Sequence, residues 1–166
     1  MIQLIECPRD AMQGIPDFID TAIKAAYINQ LLEVGFDTID FGSFVSPKAI
    51  PQMRDTAEVL ELLDLHQTNS KLLAIVANVR GAEDALHFDV DVLWIGARTT
   101  VNPFSVQEVA DALKGVDIPV MVKNPMNPDL QLWLGALERL QTVGINKLAA
   151  IHRGFSDSYD KRFRNK

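Results

Sequence analysis

Three basic residues end three successive apolar runs in the second half of the chain: Arg98, Lys123 and Arg153. In a parallel α/β sheet the carboxyl ends of the strands line one face, and ligands bind at that face. Arginine offers phosphate a fork of donors, and lysine offers a compact charge. The spacing therefore predicts a site for a small, highly charged anion such as a phosphate ester. The alternative is that these cations only cap strand ends or pair with nearby acids such as Asp91 and Asp117.

A second group of reactive residue types follows the first apolar run, where Arg9 and Asp10 are adjacent. An arginine there would stabilise an enolate while the neighbouring carboxylate holds a divalent metal. A structural ion pair is the alternative for this spacing. Cys7 is the only cysteine and excludes an internal disulfide; we expect it to be a small apolar residue in a buried first strand.

The composition narrows the class of protein. The 166 residues carry a formal net charge of -6, with 48% hydrophobic and 23% charged residues. Such an acidic globular composition argues against general nucleic-acid or membrane-surface partners. No apolar run reaches the roughly 18 residues of a membrane span, and the first residues lack the features of a signal peptide. With the single cysteine, these features predict a cytoplasmic protein.

Strand-like and helix-like patterns alternate along the chain and predict about six β-α units with short links. Strands are predicted over 2–7, 36–41, 72–77, 92–95, 118–122 and 148–151, and helices over 17–34, 50–63, 81–88, 105–113 and 130–143. In the helix 17–34, the predicted buried face contains Ile19, Ile23, Ala26, Tyr27, Gln30 and Leu31. Ser105 and Asp129 are the predicted caps of the last two helices.

This alternation predicts an α/β fold with a parallel sheet. The favoured architecture is an incomplete (β/α)8 TIM barrel lacking units seven and eight, and the alternative is an open doubly wound sheet. We expect one domain over 1–155, followed by a polar tail over 156–166. The open sheet edges would pair with each other, pair with another chain or aggregate, and pairing with a second copy would give a homodimer.

The first half, over about 1–86, resembles hydroxymethylglutaryl-CoA lyase and related metal-dependent aldolases. The resemblance rests on 8–13 (Pro-Arg-Asp-Ala-Met-Gln), 40–48 (Asp-Phe-Gly-Ser-Phe-Val-Ser-Pro-Lys), 51–53 (Pro-Gln-Met) and 77–82 (Ala-Asn-Val-Arg-Gly-Ala). It implies that Arg9 is catalytic, that Asp10 is a metal ligand, and that Asp40 and Gln13 are further site residues. The family's His-x-His metal pair and its glycine-rich loop with a reactive cysteine are absent from the sequence. A divalent metal would therefore be held poorly.

The second half, over about 83–166, resembles 3-deoxy-7-phosphoheptulonate (DAHP) synthase of the type fused to chorismate mutase. The matching runs are 92–104 (Val-Leu-Trp-Ile-Gly-Ala-Arg-Thr-Thr-Val-Asn-Pro-Phe), 122–125 (Val-Lys-Asn-Pro), 127–130 (Asn-Pro-Asp-Leu) and 151–156 (Ile-His-Arg-Gly-Phe-Ser). The family adds phosphoenolpyruvate to erythrose 4-phosphate with the help of a divalent metal. The resemblance implies that Arg98, Lys123 and Arg153 bind phosphoenolpyruvate, with Lys123 also catalytic. The family's metal ligands and its Lys-Pro-Arg loop are missing.

The sequence thus predicts a chimera of two barrel types joined within 76–86, with the order of strands and helices continuous across the seam. The predicted function is phosphoenolpyruvate or phosphate binding with little or no turnover. The alternatives are a residual carbon–carbon lyase that uses Arg9 and Asp10, and a chimeric scaffold without activity.

Overall fold

The computed structural model describes residues 2–155, and the predicted polar tail lies outside them. The strands are β1 (Ile5–Glu6), β2 (Thr38–Ser43), β3 (Lys71–Val76), β4 (Val92–Ile95), β5 (Val120–Lys123) and β6 (Leu148–Ile151). The helices are α1 (Pro8–Met12), α2 (Thr21–Val34), α3 (Thr56–Glu61), α4 (Val79–His87), α5 (Ala97–Thr100), α6 (Pro103–Ala112) and α7 (Leu130–Thr142), with a 3₁₀ turn over Pro51–Met53.

The six strands form one parallel sheet in the order β1-β2-β3-β4-β5-β6, with helices covering its outer face. Neighbours in sequence are neighbours in space throughout, so the sheet curves as an open half-barrel. The prediction of an incomplete TIM barrel is therefore confirmed. The doubly wound alternative is wrong, because that architecture requires the strand order to reverse at a switch point.

The sheet separates two apolar layers. Alternate strand residues such as Leu93 and Ile95 face the helices and join the large outer core. Leu73, Val92 and Trp94 form a smaller buried cluster on the inner, concave face. Both faces of β4 are buried, as a parallel strand requires, and the carboxyl ends of the strands meet at one rim of the half-barrel. We call this rim the mouth.

Two short helices were not predicted. α1 follows β1 and α5 follows β4, and they carry Arg9 and Arg98 respectively. The predicted helix 50–63 is divided instead into a 3₁₀ turn and α3. The N-cap of α6 is Asn102 rather than Ser105, because the Asn102 side chain accepts hydrogen bonds from the backbone N–H groups of Phe104 and Ser105. The Asp129 cap is confirmed.

The predicted buried face of the helix 17–34 is wrong. In α2 the buried residues are Lys24, Ala25, Ile28 and Leu32, whereas Ile23 is 60% exposed and Tyr27 is 41% exposed. Of the predicted face, Leu31 is partly buried against the core. On the face that is buried, the Lys24 ammonium forms an ion pair with Asp55. Cys7 lies after β1 rather than within it, and is half-buried against the inner cluster.

Among residues 2–155, no helix is both long enough and apolar enough to cross a membrane.

Candidate functional site

The β1–α1 connection places Arg9 at the mouth, facing β2. The side chain is buried, with a residue exposure of 1%, and grips Asp40 with two donors. Its Nε lies 3.1 Å from Asp40 Oδ1, and its Nη2 lies 2.5 Å from Asp40 Oδ2. A register shift between Asp40 and Gly42 in the β2–β3 pairing follows directly after this contact. Irregularities of this kind re-aim side chains beside functional sites.

Arg9 also binds the residues that follow it. Its Nη1 donates to Asp10 Oδ1 and to Gln13 Oε1, both at 3.0 Å, and Gln13 Nε2 donates to Asp10 Oδ1 at 2.7 Å. With the two bonds to Asp40, four of the five guanidinium N–H groups are engaged. The structure therefore joins Arg9, Asp10, Gln13 and Asp40 into one hydrogen-bonded group, which we call the Arg9 cluster.

Burial governs the titration of this cluster. It raises the pKa of Asp40 to about 6, although the charge and the hydrogen bonds of Arg9 lower it. Asp40 is therefore ionised at neutral pH and takes up a proton below about pH 6. Burial also raises the pKa of the nearby Cys7 thiol to about 11, with Asp40 as the next cause. Cys7 is consequently a neutral thiol at physiological pH and a poor nucleophile.

Lys123 ends β5 beside the Arg9 cluster. Its Nζ lies 4.2 Å from the centre of the Trp94 ring, and Arg9 Cζ lies 5.5 Å from the same centre. Burial lowers the pKa of Lys123, with Arg9 and Arg153 lowering it further and Asp10 and Asp40 opposing them. Within residues 2–155 the Lys123 ammonium makes no hydrogen bond or ion pair. It is a half-buried cation with three unused donors.

Asn124 fixes the β6 loop that carries Arg153. The Asn124 side chain is fully buried; its Oδ1 accepts from the Arg153 backbone N–H at 2.6 Å, and its Nδ2 donates to the Gly154 carbonyl at 2.9 Å. Arg153 is thereby held beside Lys123, close enough to lower the pKa of its ammonium.

Arg98 is in a different position. It lies on α5, which is anchored by Thr100 Oγ1 donating to the Lys123 carbonyl at 2.8 Å and by Thr99 Oγ1 donating to the Ala77 carbonyl at 3.3 Å. The Arg98 side chain itself is exposed and makes no hydrogen bond or ion pair within the described part of the chain. No contact of that kind joins it to the other two predicted phosphate ligands.

The two acids proposed as local partners of these cations are engaged elsewhere. Asp91 Oδ2 accepts a hydrogen bond from the backbone N–H of Leu72 at 2.8 Å, and Asp117 pairs with Lys147 at 2.6 Å.

The residues at the mouth do not fit a divalent metal. Among residues 2–155, no three His, Cys, Asp or Glu side chains are grouped so that they could hold one. Both Asp40 oxygens are occupied by Arg9, and Asp10 Oδ1 is shared by Arg9 and Gln13. The positive charge of Lys123 beside these carboxylates would repel a bound metal ion.

Two residues of the mouth were not predicted: Trp94 and Asn124. Both are in the runs that carry the synthase resemblance, but neither type signals chemistry by itself. Side chains alternate between the two faces of β4, and this places Trp94 on the inner face with Val92. The sequence could have identified Trp94 from this alternation. For Asn124, the only signal in the sequence is its position directly after Lys123.

No family profile matches the chain. Over 97 residues it is 42% identical to a hydroxymethylglutaryl-CoA lyase of Bacillus subtilis, covering 57% of this chain and 32% of that protein. The fold matches a hydroxymethylglutaryl-CoA (HMG-CoA) lyase from Acinetobacter baumannii, which was solved in complex with coenzyme A and 3-methylmalate. The TM-score is 0.75 and the identity is 24%, and the match covers 92% of this chain and 57% of that one.

The fold also matches an enzyme of a second family. A truncated 3-deoxy-D-arabino-heptulosonate 7-phosphate synthase from Thermotoga maritima aligns with a TM-score of 0.63 and 17% identity, covering 97% of this chain and 54% of that one. Both resemblances predicted from the sequence are therefore confirmed, the one to the lyase by curated sequence relatives and the one to the synthase by the fold alone. The chain spans about a third of the length of the curated relatives it matches.

Proposed function

We propose that the mouth binds a small anion with carboxylate or phosphate groups, of the phosphoenolpyruvate type, with little or no turnover. The observation that carries this proposal is the Lys123 ammonium, which is half-buried yet donates no hydrogen bond within residues 2–155. A desolvated cation of this kind is stabilised by an anion that accepts from it. The phosphate of the ligand would lie against Lys123.

The charges around Lys123 support the same ligand class. Arg9, Lys123 and Arg153 contribute three positive charges, and Asp10 and Asp40 contribute two negative charges. These groups around Lys123 therefore sum to one positive charge, in a chain whose formal net charge is -6. This local excess concentrates anions at the site. Arg98, exposed on α5, would contribute less than Lys123 or Arg153.

Low turnover follows from two features of the mouth. Its acids do not fit the divalent metal on which both resembled families depend. In addition, Arg9 has most of its donors engaged with Asp40, Asp10 and Gln13, so it polarises a substrate only after exchanging one of these partners.

The proposal is tested by titrating phosphoenolpyruvate into the protein by calorimetry and by measuring the melting temperature with the same ligand. At about 100 times its dissociation constant, a ligand specific for the folded state adds roughly 2.7 kcal/mol of stability. We expect Lys123→Met to abolish both signals, Arg153→Met to weaken binding strongly, and Arg98→Met to weaken it least.

Lys147→Met is the matched control, because Lys147 is exposed and pairs with Asp117 away from the mouth; it should bind like the parent. Inorganic phosphate and pyruvate, titrated separately, show which group of the ligand carries the affinity. A cooperative melt with no ligand response in the parent would overturn the proposal and leave the inactive scaffold.

The lyase is the second candidate, favoured by the 42% identity to the Bacillus subtilis enzyme. In that case Arg9 would polarise a carbonyl, and the ligand would be an acyl-CoA, as the coenzyme A complex of the Acinetobacter baumannii protein suggests. The test is Mg²⁺- or Mn²⁺-dependent release of acetoacetate from hydroxymethylglutaryl-CoA. Release that disappears in Arg9→Ala would favour the lyase over simple anion binding.

A homodimer through the open sheet edges completes the proposal. β6 is an edge strand, and Ala149 and Ala150 on it are exposed. Unpaired edges of this kind favour pairing with another chain. Sedimentation equilibrium should give twice the monomer mass, with Ala149→Lys shifting the protein to monomer; a parent that sediments as a monomer contradicts this assembly.

A further inference from the structure

Trp94 is buried at the centre of the mouth. It is 6% exposed and lies between β3 and β5, in register with Ile75 and Met121. Its indole Nε1–H is buried and has no acceptor within residues 2–155. Burying a donor without a partner costs free energy, so hydrogen bonding does not explain why an indole occupies this position.

The ring face supplies another explanation. Lys123 Nζ lies 4.2 Å from the ring centre, within the range of a cation–π interaction. Tryptophan attracts a cation more strongly than phenylalanine or tyrosine does, through the negative potential of its face. This attraction uses none of the three N–H groups of the ammonium. The ring can therefore hold the charge in place and leave every donor available for a ligand.

Lys24 provides an internal comparison. Its Nζ also lies over an aromatic ring, 4.0 Å from the centre of Phe18. Unlike Lys123, Lys24 donates to Asp55 Oδ1 and to the Gln52 carbonyl. Its donors are used by the fold, which makes Lys24 a structural cation. The contrast separates a lysine that stabilises the fold from one prepared for an external acceptor.

We infer that Trp94 is a positioning residue for anion binding: its indole face holds the Lys123 ammonium so that all three N–H groups are presented to the ligand. This inference rests on the proposed function of the mouth. It adds a residue that acts through Lys123 and does not itself touch the anion.

The first test compares Trp94→Phe and Trp94→Leu by calorimetry with inorganic phosphate as the probe. Loss of the ring should weaken phosphate binding by about tenfold in Trp94→Leu, and Trp94→Phe should recover part of that loss. Melting curves establish that each variant is folded before titration. If Trp94 only fills space, Trp94→Phe and Trp94→Leu should bind phosphate with similar affinity, because phenylalanine and leucine are both good core residues.

A second test keeps the native residue at position 94. In Trp133→Phe, Trp94 is the only tryptophan left of the two in the chain. Its emission should change on titration with phosphate, since the ammonium on its face acquires an acceptor. The dissociation constant fitted to this change should equal the one measured by calorimetry. Adding Lys123→Met should abolish the change.

The outcomes separate the inference from the function it rests on. If the parent binds phosphate, but Trp94→Leu binds equally well or Trp94 emission does not respond, Trp94 has no positioning role and the anion site stands. If the parent binds no phosphate, phosphoenolpyruvate or pyruvate, the proposed function and this inference are both overturned.

Discussion

Arg9 and Lys123 lie over the same tryptophan ring but differ in how their donors are used. Arg9 gives four N–H groups to Asp40, Asp10 and Gln13, whereas Lys123 gives none to any acceptor within residues 2–155. Both are cations in recognisable motifs, and the sequence predicts both as catalytic. Only the geometry separates an arginine engaged by its neighbours from a lysine with unused donors.

Asp40 makes anion binding at the mouth depend on pH. Arg9, Asp10, Lys123 and Cys7 are the ionisable groups that interact with it. Because the pKa of Asp40 is about 6, lowering the pH from 7.5 to 5 removes one negative charge from the mouth. We expect sulfate, which keeps its charge over this range, to bind several-fold more tightly at pH 5. With that pKa, the protonated fraction of Asp40 rises from about 3% at pH 7.5 to about 91% at pH 5, so proton linkage limits the gain to about thirtyfold.

Calorimetry with sulfate at the two pH values measures this effect, and two variants assign it. Asp40→Asn should make the affinity independent of pH over this range. His152→Gln, which changes an exposed side chain of the neighbouring loop, should keep the dependence. A loss of the pH effect in His152→Gln but not in Asp40→Asn would contradict the assignment to Asp40.

At the scale of elements, the alternating pattern predicts about six β-α units because short apolar runs alternate with helices long enough to show their period. It misses α1 and α5, which have 5 and 4 residues and are too short to show a helical period. These two helices nevertheless place Arg9 in the mouth and leave Arg98 exposed. The sequence therefore predicts the sheet well, but the placement of its loop residues poorly.

The buried face of α2 shows a different limit. Apolar periodicity favours a face containing Ile23 and Tyr27, but the buried face is the one containing Lys24. Lys24 is buried because Asp55, between the 3₁₀ turn and α3, lies 2.6 Å from its ammonium. A pair separated by 31 positions leaves no local pattern in the sequence.

This pair joins α2 to α3, so breaking it should destabilise the fold. Lys24→Met leaves the Asp55 carboxylate buried without its cation, and such losses cost about 3–5 kcal/mol. Lys147→Met is the matched control, because its pair with Asp117 is exposed and pairs of that kind contribute about 0–1 kcal/mol. Urea unfolding measures both; equal losses in the two variants would contradict a stabilising role for the buried pair.

At the scale of the whole molecule, the parts of the chain before and after the predicted seam share one outer core. The buried cluster extends from Ala25 on α2 to Ile145 before β6. Contacts across the predicted seam are close: β3 pairs with β4 from Leu73↔Val92 to Val76↔Ile95, and the rings of Phe44 and Phe88 stack with their centroids 5.6 Å apart. A seam with contacts this close should transmit unfolding from one half to the other.

Leu140→Ala tests that coupling. Leu140 on α7 is 0% exposed, and Leu134 on the same helix is 41% exposed. Removing the buried side chain should cost about 2–5 kcal/mol, whereas Leu134→Ala should change the stability by about 0.5 kcal/mol or less. Tryptophan emission follows the second half during urea unfolding, and alkylation of Cys7 follows the first. If the halves form one cooperative unit, Leu140→Ala lowers both midpoints equally; if only the emission midpoint falls, the two halves unfold separately.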